Sequence, residues 1–391
     1  MDRVVVVGAS LAAVHAIEGL RRLGLQGEIT LVGAEDVLPY DRPPLSKEAL
    51  RDGVDPDKVL IREPSWYEDH GVTLRLACRA SRLDAKQHAV VLDGGERISY
   101  DGLLIATGSR ARTIPSARQG ERGAVRSLRT LTDSVALHHE LRAARSLVVI
   151  GGGFIGLEVA ATAREMGVEV VVVELGPVPL SRVLGDEVGQ WFRDYHERHG
   201  VQVHCAASVE DIEHSSECSK VQLSDGSVFS ADLVLAGVGA APATEWLAGS
   251  GLGLGDGVRC DATLRTTIPG VVAAGDVAAW YNPLFDEVMR VEQWNNAVVQ
   301  GSHAAGTLLG ARETCAVVPY FWSDQFAARM RFVGRSNAAS HVQILESSDE
   351  RLVALFGRDG KICGAVCVNA PRQLALYRKA IEEQVAWADA Q

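Results

Sequence analysis

Gly151, Gly153 and Gly156 stand at G-x-G-x-x-G spacing, and Glu174 follows 18 positions after the last of them. Glycine at these places removes side chains where a turn must be tight, where a pyrophosphate must approach the backbone, and where a helix must lie against a strand. A helix that starts at such a turn offers unpaired N–H groups and a positive dipole end to phosphate oxygens. An acid roughly 20 residues further on can hold the hydroxyls of an adenosine ribose. Its charge favours NADH, because a 2′-phosphate would meet repulsion and no arginine follows directly. The bare motif is weak evidence, and its surroundings make it specific. Residues 147–150 form an apolar run suited to a buried parallel strand, an alanine-rich helical pattern runs to Met166, Gly167 stops it, and residues 168–173 read as the next strand.

The same design opens the chain. Residues 4–7 predict a strand, Gly8, Ser10 and Ala13 occupy the three glycine positions, a helix runs to about Leu23, and a strand over 28–32 precedes Glu35. Alanine is accepted at the third position, and serine at the second is small enough for a phosphate to pass. Two such units predict two dinucleotides, and hydride transfer from one to the other is the simplest use for them. Between the units, residues 39–47 read P-Y-D-R-P-P-L-S-K. The prolines fix an extended turn that returns Arg42 and Lys47 towards the first phosphate turn. A surface loop with two solvated cations is the bland reading of that stretch.

At 391 residues the chain predicts two or three domains, and 47% apolar residues suit sizeable cores. A net charge of −11 argues against nucleic acid as a partner. The seven cysteines are scattered without a C-x-x-C, which predicts neither a disulfide framework nor a metal site and fits a reducing cytoplasm. Cys78 reads as lying in a strand, as do Cys363 and Cys367. Gly8 and Ser10 break the first apolar run too early for a signal peptide, and no run approaches the roughly 18 residues that span a bilayer.

Two further strands end in Ala106-Thr107-Gly108 and in Gly275-Asp276. With these in place the chain resembles the flavoprotein pyridine-nucleotide disulfide-oxidoreductase superfamily. Within it, the sequence is similar to the ferredoxin-reductase branch that serves bacterial oxygenases. The residues that carry this resemblance are Y-D-R-P-P-L-S-K at 40–47, L-R-T-L at 128–131, G-G-F-I-G-L-E at 152–158, V-E-Q-W-N-N-A at 291–297 and V-P-Y-F-W-S-D-Q at 318–325. Ser10 and Ala13 depart from the pattern, and Ala34 stands where some relatives have the ribose acid, leaving Glu35 as its substitute.

The resemblance implies an α/β chain with two Rossmann-like dinucleotide-binding domains plus a small α+β carboxyl-terminal domain. The FAD-binding domain would take 1–112 and 240–317, the NAD-binding domain 113–239, and the last domain 318–391. FAD would be held by Gly8, Ser10, Ala12, Glu35, Arg42, Lys47, Ala80, Ala106, Thr107, Gly108, Arg129, Gly275, Asp276 and Trp294. NADH would be held by Gly151, Gly153, Phe154, Ile155, Gly156, Glu174, Arg182 and Gly237. Lys47 and Glu158 are the implied catalytic residues, Lys47 near flavin N5 and O4 and Glu158 beside the nicotinamide carboxamide. From position alone, Glu158 reads as an acid in the first turn of its helix, favourable to the dipole by roughly 0.3–1 kcal/mol. The implied partner is a [2Fe-2S] ferredoxin, with no membrane, no metal and a homodimer left open.

Past residue 317, strands are predicted at 330–334, 352–358 and 361–368, then a helix over 371–387. Trp294 and Trp322 read as packing residues or as neighbours of the flavin, and Arg329, Arg331 and Arg335 as a solvated basic cluster or a docking patch for an acidic iron–sulfur protein. Two other functions compete. A peroxidase or disulfide reductase would need a redox cysteine near residues 40–47, where there is none. A signalling flavoprotein resembling apoptosis-inducing factor would respond to NADH without rapid turnover.

Overall fold

The computed structural model describes residues 1–114, 125–215, 218–336, 339 and 341–389. They form two compact units, the first from Met1–Asp41, Val59–Arg110 and Ala241–Pro319, the second from Arg42–Lys58, Ala111–Ala240 and Tyr320–Gln391. The segment with Arg42 and Lys47, assigned from sequence to the first domain, packs in the second unit, as does the carboxyl-terminal segment.

In the first unit, strands Val271–Ala273, Gly102–Ile105, Arg3–Val7, Glu28–Val32 and Val72–Arg75 lie side by side in that order, all parallel. Val4 to Val7 are buried on both faces, which is why the run is continuously apolar rather than alternating. Gly8 ends the strand at φ +111°, where a Cβ would lie 2.1 Å from the Ala106 carbonyl oxygen. Only glycine fits that turn. Helix Leu11–Arg22 follows and packs on helix Trp294–Leu308 at very close range, since a Cβ on Gly301 would sit 2.3 Å from the Ala12 carbonyl oxygen.

In the second unit, strands Gln202–His204, Glu169–Val173, Ser146–Ile150 and Leu233–Ala236 form a parallel sheet in that order. Gly151 takes φ +106°, and a Cβ on it would lie 2.4 Å from the Gly237 carbonyl oxygen. Helix Phe154–Glu165 then begins. The chain ends in an antiparallel sheet ordered Tyr320–Gln325, Ala328–Gly334, Lys361–Val368, Leu352–Arg358, His341–Ser347. The α/β class with an α+β carboxyl-terminal segment therefore holds.

Three local expectations need correction. Helix Pro371–Glu382 stops five residues before the predicted end. Gln384 adopts φ +52°, and the chain folds back so that the Val385 N–H donates to Ala380 O and the Val385 carbonyl accepts from Ile362. Cys78 lies in the irregular stretch between strands Val72–Arg75 and Ala80–Asp84, not in a strand. Glu158 is the fifth residue of its helix, which carries no acid in its first turn. Its position is therefore not that of a dipole-stabilising acid.

Candidate active site

The first unit assembles most of its sequence-predicted residues around the first turn. Ala106, Thr107 and Gly108 follow the neighbouring strand, and Thr107 Oγ1 donates to Ala243 O at 2.8 Å. Gly275 comes near the helix start, since its Cβ would be 3.3 Å from Ala12 Cβ. Asp276 accepts a hydrogen bond from Ser109 Oγ at 2.9 Å. Trp294 Nε1 donates to Asp41 Oδ1 at 2.7 Å, tying the amino end of its helix to that residue. Ala80 instead opens the edge strand of a separate three-stranded antiparallel sheet.

The two acids that follow the second strands are held differently. Glu174 comes directly after its strand, and its two carboxylate oxygens accept from the N–H of Gly152 at 2.6 Å and of Gly176 at 2.7 Å. The corresponding place in the first unit is Gly33, whose N–H bonds the third strand's end (Arg75 O) as the Glu174 N–H bonds His204 O. No side chain fits there, for a Cβ would lie 2.7 Å from Ala9 Cβ. Glu35, two residues later, accepts from Tyr40 Oη at 2.6 Å.

Both turns have the character a phosphate requires. Neither helix has an acid in its first turn, and neither N-cap closes with a side-chain hydrogen bond, so no side chain of either helix's own first turn compensates its positive dipole end. Among the described residues, a Cβ on Gly153 would meet only the Gly237 carbonyl oxygen, at 3.9 Å, which leaves open space above the backbone. In the first unit, Gln300 is wholly buried; its Oε1 accepts from the Gly275 N–H at 2.9 Å while its Nε2 has no partner among the described residues. These features fit a dinucleotide at each turn.

Around the second turn, Gly151, Gly153, Gly156 and Gly237 come together, and Arg182 sits in the short helix Ser181–Leu184 close to Gly239. Ile155 is exposed, whereas Phe154 packs edge-on against Phe321 with ring centroids 4.7 Å apart, as a packing residue would. Arg42 Nη1 donates to Arg129 O.

The densest chemistry in this unit surrounds Glu158, which is only 6% exposed. Its Oε2 accepts from Lys47 Nζ at 2.8 Å and from Ser46 Oγ at 2.5 Å, and its Oε1 accepts from Ser323 Oγ at 2.6 Å. Thr162, one turn along the same helix, donates to Ser46 O at 2.8 Å and fixes the segment that carries Lys47. Removing one partner of a buried pair costs about 3–5 kcal/mol; Lys47 keeps 18% side-chain exposure, so solvent reduces that cost. Sequence reasoning named Lys47 and Glu158 but missed Ser46 and Ser323, though both lie inside quoted motifs.

Four of the thiols are poorly suited to redox work. Burial pushes Cys260, Cys315 and Cys367 up to about 12 and raises Cys205 as well, which disfavours the reactive thiolate. The basic cluster is partly neutralised, since Asp324 pairs with Arg331 at 2.7 Å and with Arg329 at 3.5 Å. Among the described residues no helix is long and apolar enough to cross a membrane.

Two glycine turns on two parallel sheets, each followed by an acid and one accompanied by a buried Lys–Glu pair, define an oxidoreductase built for two dinucleotides. The chain belongs to the pyridine nucleotide-disulphide oxidoreductase family, which its residues 2–301 match, and residues 320–391 match the reductase C-terminal family. It is 35% identical over 385 residues to the ferredoxin–NAD(+) reductase component of the p-cumate 2,3-dioxygenase system of Pseudomonas putida, covering 98% of this chain and 94% of that one. It is 36% identical over 389 residues to the corresponding biphenyl dioxygenase component of Paraburkholderia xenovorans, covering 99% and 94%. The crystal structure of the covalent putidaredoxin reductase–putidaredoxin complex matches with a TM-score of 0.93 at 31% identity, over 98% of this chain and 94% of that one. The family resemblance and the fold class expected from sequence both hold.

Proposed function

We propose that the protein is an NADH-dependent, FAD-containing reductase that passes electrons to a [2Fe-2S] ferredoxin serving an oxygenase. The observation that carries this reading is the buried Lys47–Glu158 pair at the second glycine turn, in a chain whose Cys260, Cys315 and Cys367 thiols are pushed up to about 12 by burial. FAD, when bound, supplies a carrier that accepts hydride from NADH and releases electrons singly. Gly8, Ser10 and Ala12 would hold its phosphates, Glu35 its adenosine, Asp276 its ribityl chain, and Trp294 would flank its ring. Ala80, Arg42, Lys47 and Arg129 keep the flavin roles that the resemblance implies. Gly151, Gly153 and Gly156 would receive the NADH pyrophosphate and Glu174 the ribose, with Arg182, Ile155 and Gly237 beside them. Glu158 would accept from the nicotinamide carboxamide, its charge balanced by Lys47. No nucleophile is needed, because the main task is to hold the reacting atoms about 3–3.5 Å apart. The three-domain division and a cytoplasmic location belong to the same reading.

The purified protein should be yellow, release FAD on heating, and reduce a [2Fe-2S] ferredoxin catalytically with NADH under anaerobic conditions. Replacing Cys78, Cys205 and Cys218 together by alanine should leave that rate within a few-fold of wild type. Loss of turnover from a cysteine change, with FAD content and fold intact, would instead support a disulfide reductase. Slow acceptor reduction with long-lived NADH-bound protein would support a signalling role.

A further inference from the structure

Behind Ser323, the third donor to Glu158, runs a line of buried side chains that the function above does not use. Gln325 Nε2 donates to Ser323 Oγ at 3.0 Å, and His196 Nε2 lies 2.8 Å from Gln325 Oε1. Ser323 and Gln325 alternate along strand Tyr320–Gln325 and so share a face, while His196 comes from helix Asp186–Arg198. His196 and Ser323 are 0% exposed and Gln325 is 1% exposed. Hydrogens in such a place must be shared among the groups themselves.

We propose that His196 and Gln325 are positioning residues for Glu158: they lock the Ser323 hydroxyl as a donor to its Oε1. This deepens, and rests on, the reading of Lys47 and Glu158 as part of the nicotinamide site. The polarity follows from what each atom can do. An amide nitrogen only donates, so Ser323 Oγ receives from Gln325 and must send its single hydrogen to Glu158. Gln325 can face that way only if its carbonyl receives a hydrogen from His196 Nε2. Burial keeps His196 neutral by lowering it to about 4, so the ring carries one proton. Among the described residues His196 Nδ1 has no partner, and with the proton on Nε2 that orphan is a bare lone pair rather than a stranded donor. In the opposite arrangement the amide would donate to the ring, Nδ1–H would be stranded, and Ser323 would turn a lone pair towards a carboxylate 2.6 Å away. Both ends of the line therefore select the same direction, and this further support for Glu158 comes from the carboxyl-terminal sheet.

The test uses the FAD-loaded full-length protein. Flavin reduction by NADH would be followed anaerobically for Glu158→Gln, Ser323→Ala, Gln325→Glu and the Ser323→Ala/Gln325→Glu double variant, together with ADP-ribose affinity. In Gln325→Glu the new carboxylate would accept the Ser323 hydrogen and withdraw it from Glu158. A loss of about tenfold in the limiting rate is expected for each single network variant, the size of one charge-assisted hydrogen bond, with ADP-ribose affinity unchanged. The double variant should fall within about twofold of Ser323→Ala, since Gln325 acts only through Ser323. Independently, histidine-selective 15N NMR of the wild type at pH 7 should show His196 as the neutral Nε2–H tautomer, assigned by loss of its signal in His196→Asn. An Nδ1–H tautomer or an imidazolium overturns the proposal, even if a variant fails to fold. If Glu158→Gln slows reduction but the network variants do not, or if the double variant is far slower than Ser323→Ala, this inference falls and the role of the pair stands. If Glu158→Gln has no effect, both fall.

Discussion

The two glycine turns share a backbone solution but differ in what covers the helix that follows. At Gly8 and Gly151 the chain takes the same left-handed conformation, and each turn presses against the end of the adjacent parallel strand, at Ala106 and at Gly237. Beyond the turn, helix Leu11–Arg22 is covered by a second helix at glycine contact, through Gly301 on Ala12 and Gly19 on Ala305. Helix Phe154–Glu165 is covered by polar groups: Ser46 and Lys47 from one segment and Ser323 from a strand. A helix pair packed through glycine and alanine yields a rigid cradle. The polar cover holds an ion pair out of water beside a nucleotide turn. We read the first turn as a site for binding alone and the second as the site where binding and chemistry meet.

The sharpest way to break that division is to damage each turn separately. Alanine at Gly8 or Gly151 meets a forbidden φ and a backbone oxygen at 2.1 or 2.4 Å, so each change should weaken its own nucleotide by more than about a hundredfold, the effect of roughly 3 kcal/mol. Gly8→Ala should yield colourless protein. Gly151→Ala should stay yellow and be reduced by dithionite but hardly by NADH. Flavin absorbance per protein and NADH titration separate these results. Loss of FAD from both variants alike would show that the turns are not independent.

A smaller effect sharpens the contrast between the two acids. Glu174 is clamped by two backbone N–H groups, whereas Glu35 accepts from the Tyr40 hydroxyl. Glu174→Gln should raise the ratio of kcat/KM for NADPH over NADH by about tenfold or more, because it removes the charge facing a 2′-phosphate. Glu35→Gln should leave that ratio unchanged and only weaken FAD. An unchanged ratio in Glu174→Gln would move nucleotide choice to another residue.

These differences bear on what the sequence could reveal. The turns were legible because a pyrophosphate near the backbone demands small residues at fixed spacing, and strands Glu28–Val32, Leu352–Arg358 and Lys361–Val368 appeared with the bounds their apolar runs predicted. Glu158 was found through family resemblance, while its true setting was hidden. Its donors Ser46 and Ser323 come from segments 112 residues upstream and 165 downstream, and no local pattern encodes such a meeting. His196 had no signal at all: in an amphipathic helix it reads as any polar residue, and only tertiary packing buries it. The early end of helix Pro371–Glu382 was missed because a left-handed Gln384 leaves no mark in composition.

The smallest expected effect tests the second position of each motif, Ser10 in one turn and Gly153 in the other. Both residues are N-caps in extended backbone, Ser10 at φ −151° and Gly153 at φ −79°, so neither place requires glycine for conformational reasons. Ser10 forms no side-chain cap bond, so its hydroxyl does little for the helix. Ser10→Gly should therefore shift stability by only a few tenths of a kcal/mol and FAD occupancy hardly at all. Gly153→Ala meets nothing nearer than 3.9 Å among the described residues; the stiffer unfolded chain should add about 0.4–1 kcal/mol and the poorer alanine N-cap remove a similar amount, so stability should stay nearly unchanged. Its KM for NADH should nevertheless rise severalfold, because the methyl group occupies the path of the pyrophosphate. A much lower melting temperature in Gly153→Ala would mean that the fold selects this glycine. A similar one with an unchanged KM would mean that the nucleotide lies elsewhere. Only near-unchanged stability together with weaker NADH binding fits a residue kept small for its ligand.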